Sequence, residues 1–146
     1  MRMDEDLMAL YSRRILALAS DIPHLGRLPD ADSHAMRRSP QCGSVVTAYV
    51  RMQDGRIADF SQEVRACALG QASAALLGAC VMGRTKAELQ SGRDALFALL
   101  KDGSSAVDSP FEGIEVLTPA KEFPNRHASI MLAWDATLDA IANTDP

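Results

Sequence analysis

The chain has 146 residues, of which 47% are hydrophobic and 23% are charged, with a formal net charge of −4. This length and apolar content suit one domain with a buried core. An isoelectric point near 5.3 argues against a nucleic-acid-binding protein, which would carry clustered lysine and arginine. No apolar run approaches the roughly 18 residues of a membrane span, and the acidic start is unlike a signal peptide. We therefore expect a soluble cytoplasmic protein whose three cysteines are free thiols or metal ligands.

The first two predicted segments are a helix and an irregular arm. Residues 4–20 are predicted to be helical, because apolar side chains recur there at helical spacing. Residues 21–41 contain three prolines and several polar residues. They are therefore predicted to be irregular, with a short strand near residues 34–37.

A β-hairpin is predicted next, with strands at residues 44–52 and 56–64 joined by an Asp-Gly loop. Without a bulge, this loop places Cys42 opposite Cys67 at the open end of the hairpin. The same pairing puts four apolar side chains on one face of the sheet, namely Val45, Tyr49, Phe60 and Val64. Glu63 interrupts the apolar pattern of the other face by opposing Val46, so a bulge is the alternative.

Three helices are predicted after the hairpin. The first runs from residue 67 to about residue 82, and its small residues indicate tight packing on the sheet. A capping-box pattern starts the second at Thr85, and the third follows Pro124. Residues 102–123, rich in glycine, serine and proline, are predicted to form a loop that touches the core. This order predicts an α+β fold for residues 1–146: a single domain with a small antiparallel sheet and helices packed on one face.

The cysteines are the residues best suited to chemistry. Cys67 lies at the start of its predicted helix, where unpaired N–H groups and the helix dipole favour a negative sulfur. Thiolate is the form that binds metals and attacks electrophiles. Cys42 precedes Gly43 in a predicted tight turn, so the pair would make half of a soft-metal site; the alternative is that both are small buried hydrophobes. Cys80, more than three turns farther along the helix, is predicted to pack in the core.

A metal ion needs three or four ligands, so two thiolates do not complete a site. The candidates to complete it are Ser44, Ser129, His127, Asp59, Glu63 and His34. His127 is the best isolated donor, because a serine hydroxyl is a poor ligand at neutral pH. Positions 127 and 129 are about 200° apart around a helix, so only one of them can face the cysteines. The alternative roles are a histidine bound to a backbone carbonyl and a serine that caps the helix.

Taken in order, these motifs resemble the iron–sulfur cluster assembly scaffolds related to IscU and the NifU N-terminal domain. Residues 40–44 read Pro-Gln-Cys-Gly-Ser, where the family has Pro-x-Cys-Gly-Asp. Residues 67–74 read Cys-Ala-Leu-Gly-Gln-Ala-Ser-Ala, where the family has Cys-Ala-Ile-Ser-x-Ala-Ser-Ala. Residues 123–134 resemble the segment Pro-x-Arg-x-x-Cys-x-x-Leu-Ala-Trp. The long connection at residues 102–123 resembles the SufU-type branch, whose members bind zinc and accept sulfur from a cysteine desulfurase.

The resemblance implies a metal-binding set of Cys42, Ser44, Cys67 and Ser129, in which the family has aspartate at position 44 and a third cysteine at position 129. It implies a scaffold or sulfur acceptor, rather than a conventional enzyme. Our leading hypothesis is that the protein binds iron, an iron–sulfur cluster or zinc through Cys42 and Cys67, with His127 as the third donor. The implied partners are a cysteine desulfurase and apo-acceptor proteins, with no role for nucleic acid or membrane.

Other functions stay open for the same fold. The two missing ligand types at positions 44 and 129 also suit an interaction module that binds a desulfurase or another assembly partner and holds no metal. A sulfur-transfer enzyme, in which one thiolate carries a persulfide, is a third hypothesis. A thiol-redox role for the two cysteines is a fourth.

Overall fold

A three-stranded antiparallel sheet forms one layer of the protein, which we describe from a computed structural model. Residues 12–40, 43–103 and 109–144 are described. The strands are β1 (Ser33–Arg38), β2 (Val45–Gln53) and β3 (Arg56–Arg65), and they lie in the order β1-β2-β3. The predicted hairpin is thus confirmed, and the predicted short strand of the arm pairs with β2 over its whole length.

The described part of the chain contains four α-helices. They are α1 (residues 12–19), α2 (Ala68–Cys80), α3 (Lys86–Asp102) and α4 (His127–Ala142). Residues 4–11 of the first predicted helix lie outside the described residues. The capping box that predicted α3 is present, because Thr85 Oγ1 accepts from the Glu88 N–H while the Glu88 carboxylate accepts from the Thr85 N–H. None of the described helices is long and apolar enough to cross a membrane.

The prediction of a loop at residues 102–123 is wrong for half of that segment. The segment Glu112–Glu122 is a 3₁₀ helix, and a short 3₁₀ turn at Pro124–Arg126 leads into α4. Ile114, Leu117 and Ala120 are buried at a spacing of three residues, which is the period of a 3₁₀ helix. The predicted contact of this segment with the core is therefore confirmed.

The hairpin register shifts by one residue between Arg51 and Met52, which leaves Ala58 of β3 without a partner residue on β2. The bulge-free register is therefore wrong and the alternative holds. Near the loop Gln53 pairs with Arg56, as the Asp-Gly turn requires. Beyond the bulge the pairing moves by one residue, and Val45 pairs with Arg65. The predicted pairing of Cys42 with Cys67 involves a residue outside the described ranges and stays a prediction.

The bulge also separates side chains that were predicted to share a face. Val46, Ala48, Val50 and Phe60 are buried beneath the helices. Tyr49 pairs with Ser61 and bonds Glu63 on the outward face, and Glu63 pairs with Thr47 instead of Val46. Since side chains alternate along a strand, a one-residue shift moves a whole set to the opposite face. The predicted common face of Val45, Tyr49, Phe60 and Val64 is therefore wrong.

α4 is the central helix, and it packs against β1, β2, α2 and α3. Most of its apolar side chains are buried, with Trp134 only 1% exposed. The Trp134 Nε1–H donates to Ser73 Oγ on α2 at 3.1 Å, and that hydroxyl donates to the Ile130 carbonyl at 2.6 Å. These two hydrogen bonds cross the α2–α4 interface. The antiparallel sheet with helices packed on one face is the predicted α+β fold.

Candidate functional site

Three of the predicted site residues meet at one end of the sheet. Ser44 immediately precedes β2, Cys67 begins α2, and Ser129 lies in the first turn of α4. Ser129 Oγ donates a hydrogen bond of 2.9 Å to Ser44 Oγ and lies 3.6 Å from Cys67 Sγ. The fold therefore joins residues 85 positions apart in the chain into one polar cluster.

The loop before β2 positions Ser44. Gly43 has a φ of +69°, a left-handed conformation that glycine adopts without strain. Its N–H donates to the Ser39 carbonyl at 2.9 Å, and the Ser39 N–H donates to the Ser44 carbonyl at 2.8 Å. These bonds close the tight turn that the sequence predicted. Cys42 belongs to this turn by sequence but lies outside the described residues, so its proximity to Cys67 stays a prediction.

Cys67 is the N-cap residue of α2, as predicted. Its backbone is extended, with φ −68° and ψ 171°, and its carbonyl accepts the Gln71 N–H at 2.9 Å. The side chain makes no capping hydrogen bond within α2, so the half-buried sulfur is left to contact Ser129. The unpaired N–H groups of the first turn favour negative charge beside this sulfur.

Gly70 allows α2 to approach Ser129. A Cβ atom at Gly70 would lie 2.6 Å from Ser129 Oγ and 2.8 Å from Ala66 Cβ, which is closer than real atoms come. The predicted packing of this helix on the sheet through its small residues holds for Gly78 beside Gln62. The contact of Gly70 with Ser129 was not predicted, because a glycine within a helical pattern does not show what it packs against.

His127 does not face this cluster. Its Nε2 lies 2.9 Å from the Ala120 carbonyl oxygen, so Nε2 carries the proton and donates. Its Nδ1 is a buried acceptor without a hydrogen-bond partner among the described residues. Of positions 127 and 129, Ser129 is therefore the one at Cys67, and the carbonyl-bound histidine is the alternative that the structure supports. As a ligand His127 stays a prediction, which requires the ring to leave Ala120.

The remaining candidate ligands lie on the outward face of the sheet. Glu63 accepts a hydrogen bond from the Tyr49 hydroxyl, which lowers the pKa of Glu63 and raises the pKa of Tyr49. His34 stacks on Tyr49 with ring centroids 5.6 Å apart, and Asp59 pairs with Arg51 at 3.8 Å. The structure therefore does not bring these three side chains to Cys67.

The donor set around Cys67 does not fit a tightly held metal ion. In the ranges that the structure describes, no three histidine, cysteine, aspartate or glutamate side chains come together. Cys67 supplies one thiolate, and Cys42 adds a second only by sequence. Ser44 and Ser129 are 3% and 1% exposed, and their hydroxyls are bonded to each other. Neutral hydroxyls are weak ligands for iron and zinc, which prefer thiolate, imidazole and carboxylate.

Cys80 packs against the core, as predicted, and takes no part in the cluster. Its S–H donates to the Leu76 carbonyl at 3.3 Å, and burial raises its pKa to about 11. The neutral thiol is thus the stable form below that pH. The two described cysteines should therefore differ in reactivity.

We expect iodoacetamide at pH 8 to modify Cys67 long before Cys80 in the folded protein. A pKa of about 11 leaves about one thousandth of Cys80 as the reactive thiolate at that pH. The fraction rises as the pH approaches 11, so Cys80 alkylation should accelerate with pH. A time course of peptide mass spectrometry measures both rates, with urea-unfolded protein as the control. Equal rates for the two cysteines in folded protein would contradict this expectation.

Comparisons with known proteins agree with the motif order. Residues 10–144 match the model of the NifU-like N terminal domain. The iron–sulfur cluster assembly scaffold protein IscU of Thermotoga maritima is 25% identical over 138 residues, which cover 90% of this chain and 92% of the relative. IscU of Streptococcus pyogenes serotype M1 is 24% identical over 127 residues, with 87% and 80% covered.

Two solved structures share the fold of this chain. The N-terminal part of a nitrogen-fixing NifU-like protein from Brucella abortus is 40% identical, with a TM-score of 0.88 and 92% and 93% of the two chains covered. A proposed SUF-system scaffold from Fervidobacterium islandicum AW-1 shares the fold at 22% identity and a TM-score of 0.75, with 88% and 93% covered. The resemblance seen in the sequence is thus confirmed, and the chain belongs to the family of NifU-like N-terminal domains.

Proposed function

We propose that this protein takes part in iron–sulfur cluster assembly and binds its cargo through Cys67, with Cys42 as the second thiol. The cargo is sulfur, iron or a small iron–sulfur cluster. The observation that carries the proposal is the placement of Cys67 at the N-terminus of α2 against Ser44 and Ser129. These are three of the four positions that carry ligands in the family pattern. Relatives named as assembly scaffolds support the same role.

The helix N-terminus supplies the chemistry that a sulfur acceptor needs. The first-turn N–H groups of α2 lie beside Cys67, and the thiolate of a cysteine is its nucleophilic form. This thiolate attacks the outer sulfur of a persulfide on a cysteine desulfurase, and a new S–S bond forms on Cys67. The S–S bond of the donor breaks, and its electron pair stays on the donor cysteine as a thiolate. One sulfur atom is transferred without an external oxidant or reductant.

The proposal names a cysteine desulfurase as the sulfur source and apo-proteins as the receivers. Sulfur on Cys67 would lie at the half-buried start of α2, beside Ser129 of α4. Release to an acceptor needs either direct attack by an incoming thiolate or combination with iron. Both routes begin from the same loaded cysteine.

The test is sulfur loading and cluster reconstitution on the same preparation. The protein is incubated with cysteine and a cysteine desulfurase, and mass spectrometry locates any added sulfur atom. A second sample receives ferrous iron and sulfide without oxygen, followed by absorption spectroscopy and iron analysis. We expect cargo on Cys67, unchanged by Cys80→Ala. A protein that takes up neither sulfur, iron nor cluster would overturn the proposal.

The second candidate function is an interaction module of the same fold that holds no cargo. The hydrogen bond between Ser44 and Ser129 favours it, because these hydroxyls stand where metal ligands are implied. A pull-down with a cysteine desulfurase separates the two functions. Binding retained by a Cys42→Ala, Cys67→Ala double variant, together with no loading of the wild type, would favour the interaction module.

A further inference from the structure

We infer that the Cys67 site selects sulfur over metal, and that Gly70 and the Ser44–Ser129 pair are the residues that set this selectivity. The inference rests on the proposed function, since it names which cargo the same site takes. It concerns specificity and positioning, because Gly70 acts only through Ser129.

The serine pair is committed to a hydrogen bond rather than to a cation. Both hydroxyls are almost fully buried, at 3% and 1% exposure, and 2.9 Å separates their oxygens. For either oxygen to bind iron or zinc strongly, it must lose its own proton, and for Ser129 that proton is the one in this hydrogen bond. A buried divalent cation also needs compensating negative charge, and neutral hydroxyls supply none. Binding a metal ion here therefore carries a free-energy cost that binding a sulfur atom does not carry.

A sulfur atom on Cys67 lies within reach of one of the two hydroxyls. Ser129 Oγ lies 3.6 Å from Cys67 Sγ, a distance suited to the long hydrogen bonds of sulfur. The Ser129 hydroxyl can turn its proton from Ser44 toward a sulfur atom carried by Cys67. The first-turn N–H groups of α2 are donors as well, and donors can contact a bound sulfur atom but cannot ligate a cation. The cluster therefore suits a sulfur atom better than a metal ion.

Gly70 makes this arrangement possible. A Cβ at position 70 would lie 2.6 Å from Ser129 Oγ and 3.2 Å from the Ser129 carbonyl oxygen. A side chain at position 70 and the present Ser129 hydroxyl therefore cannot share this space unless α2 or α4 moves. Because Gly70 has no side chain, Ser129 can lie against Cys67. Gly70 is therefore a positioning residue.

The first experiment compares sulfur with zinc on the wild type and on a Ser44→Asp, Ser129→Cys double variant. Sulfur comes from a cysteine desulfurase with cysteine, and zinc alone is titrated by calorimetry and metal analysis. We expect the wild type to load sulfur and to bind zinc weakly. The double variant gains a carboxylate and a thiolate, so its dissociation constant for zinc should fall at least about tenfold.

The second experiment tests Gly70 with a matched glycine of the same helix. Gly70→Ala should slow both sulfur loading and alkylation of Cys67 at fixed pH by several-fold, because it displaces Ser129. Gly78→Ala places a Cβ 3.1 Å from Gln62 Nε2 at the other end of α2. It should leave both rates unchanged, while circular dichroism shows that both variants fold. Ser129→Ala should reproduce the Gly70→Ala effect without any crowding.

The outcomes separate the inference from the proposed function. A wild type that binds zinc as tightly as the double variant overturns the selectivity, while cargo binding at Cys67 stands. A wild type that loads neither sulfur nor metal removes the proposed function itself. Equal slowing by Gly70→Ala and Gly78→Ala would overturn the positioning role. If the double variant does not fold, tight zinc binding by the wild type alone still overturns the inference.

Discussion

Replacing Cys67 with serine is expected to lower sulfur loading by at least about tenfold, because an alcohol cannot form the S–S bond that holds the transferred sulfur. The fold should survive the change. Position 67 is the N-cap of α2, and serine is among the preferred N-cap residues. Loading by a cysteine desulfurase, followed by mass spectrometry of the intact protein, measures the loss. Thermal unfolding checks that the variant is as stable as the wild type.

Cys80→Ala is the matched control for this prediction, since it removes a thiol from the other end of the same helix. Its sulfur loading should equal that of the wild type, because burial already keeps the Cys80 thiol neutral. Undiminished loading of the Cys67→Ser variant would contradict the assignment of Cys67 as the acceptor. It would then point to Cys42 as the residue that carries the sulfur.

Local chemistry made several elements predictable from the sequence. The Asp-Gly loop defined the hairpin, and the Thr85 capping box defined the start of α3. Both signals depend on residues within one turn of each other. The register shift between Arg51 and Met52 has no comparable signal within one turn of the chain. For that reason the register, and with it the faces of β2 and β3, could not be fixed from the hairpin loop alone.

The sequence contained a signal for the 3₁₀ helix, but the loop-like composition of the segment obscured it. Prolines and glycines around residues 112–122 favoured a loop, yet Ile114, Leu117 and Ala120 recur every third residue. Pro119 lacks an N–H and cannot extend an α-helical ladder, whereas short 3₁₀ turns accommodate it. A search for a period of three, beside periods of 2 and 3.6, would have found this element.

Three of the five predicted site residues lie together in the structure, while His127 faces Ala120 and Cys42 lies outside the described residues. Motif order placed Ser44, Cys67 and Ser129 in one cluster, which the structure shows. The direction of the His127 side chain depends on where the Pro124–Arg126 turn ends and α4 begins. The role of Gly70 depends on the distance between α2 and α4. Both are tertiary quantities that no short motif encodes. The selectivity that we infer for the site depends on these quantities.

Replacing Trp134 with alanine is expected to lower the free energy of unfolding by about 3–5 kcal/mol, which is a large part of the stability of a small domain. Trp134 is 1% exposed, packs edge-on against Phe111, and lies at the centre of the α4 interfaces. Its loss leaves a cavity and removes the N–H donor to Ser73. Urea unfolding followed by circular dichroism measures the change, since the protein has no other tryptophan to report by fluorescence.

Trp134→Phe separates the packing from the hydrogen bond. Phenylalanine keeps most of the apolar volume but cannot donate to Ser73, so this variant should lose only about 1–2 kcal/mol. An effect as large as that of Trp134→Ala would mean that the hydrogen bond, rather than the cavity, dominates.

The same two variants also report on the site, because the Trp134–Ser73 bond joins the helices that carry Ser129 and Cys67. The contact between Cys67 and Ser129 needs α2 and α4 to stay at their present separation. If the contact between Cys67 and Ser129 controls the reactivity of the Cys67 sulfur, alkylation of Cys67 should slow in folded Trp134→Phe and slow more in folded Trp134→Ala. Rates that do not follow this order would mean that the α2–α4 interface is rigid near Gly70 without the tryptophan.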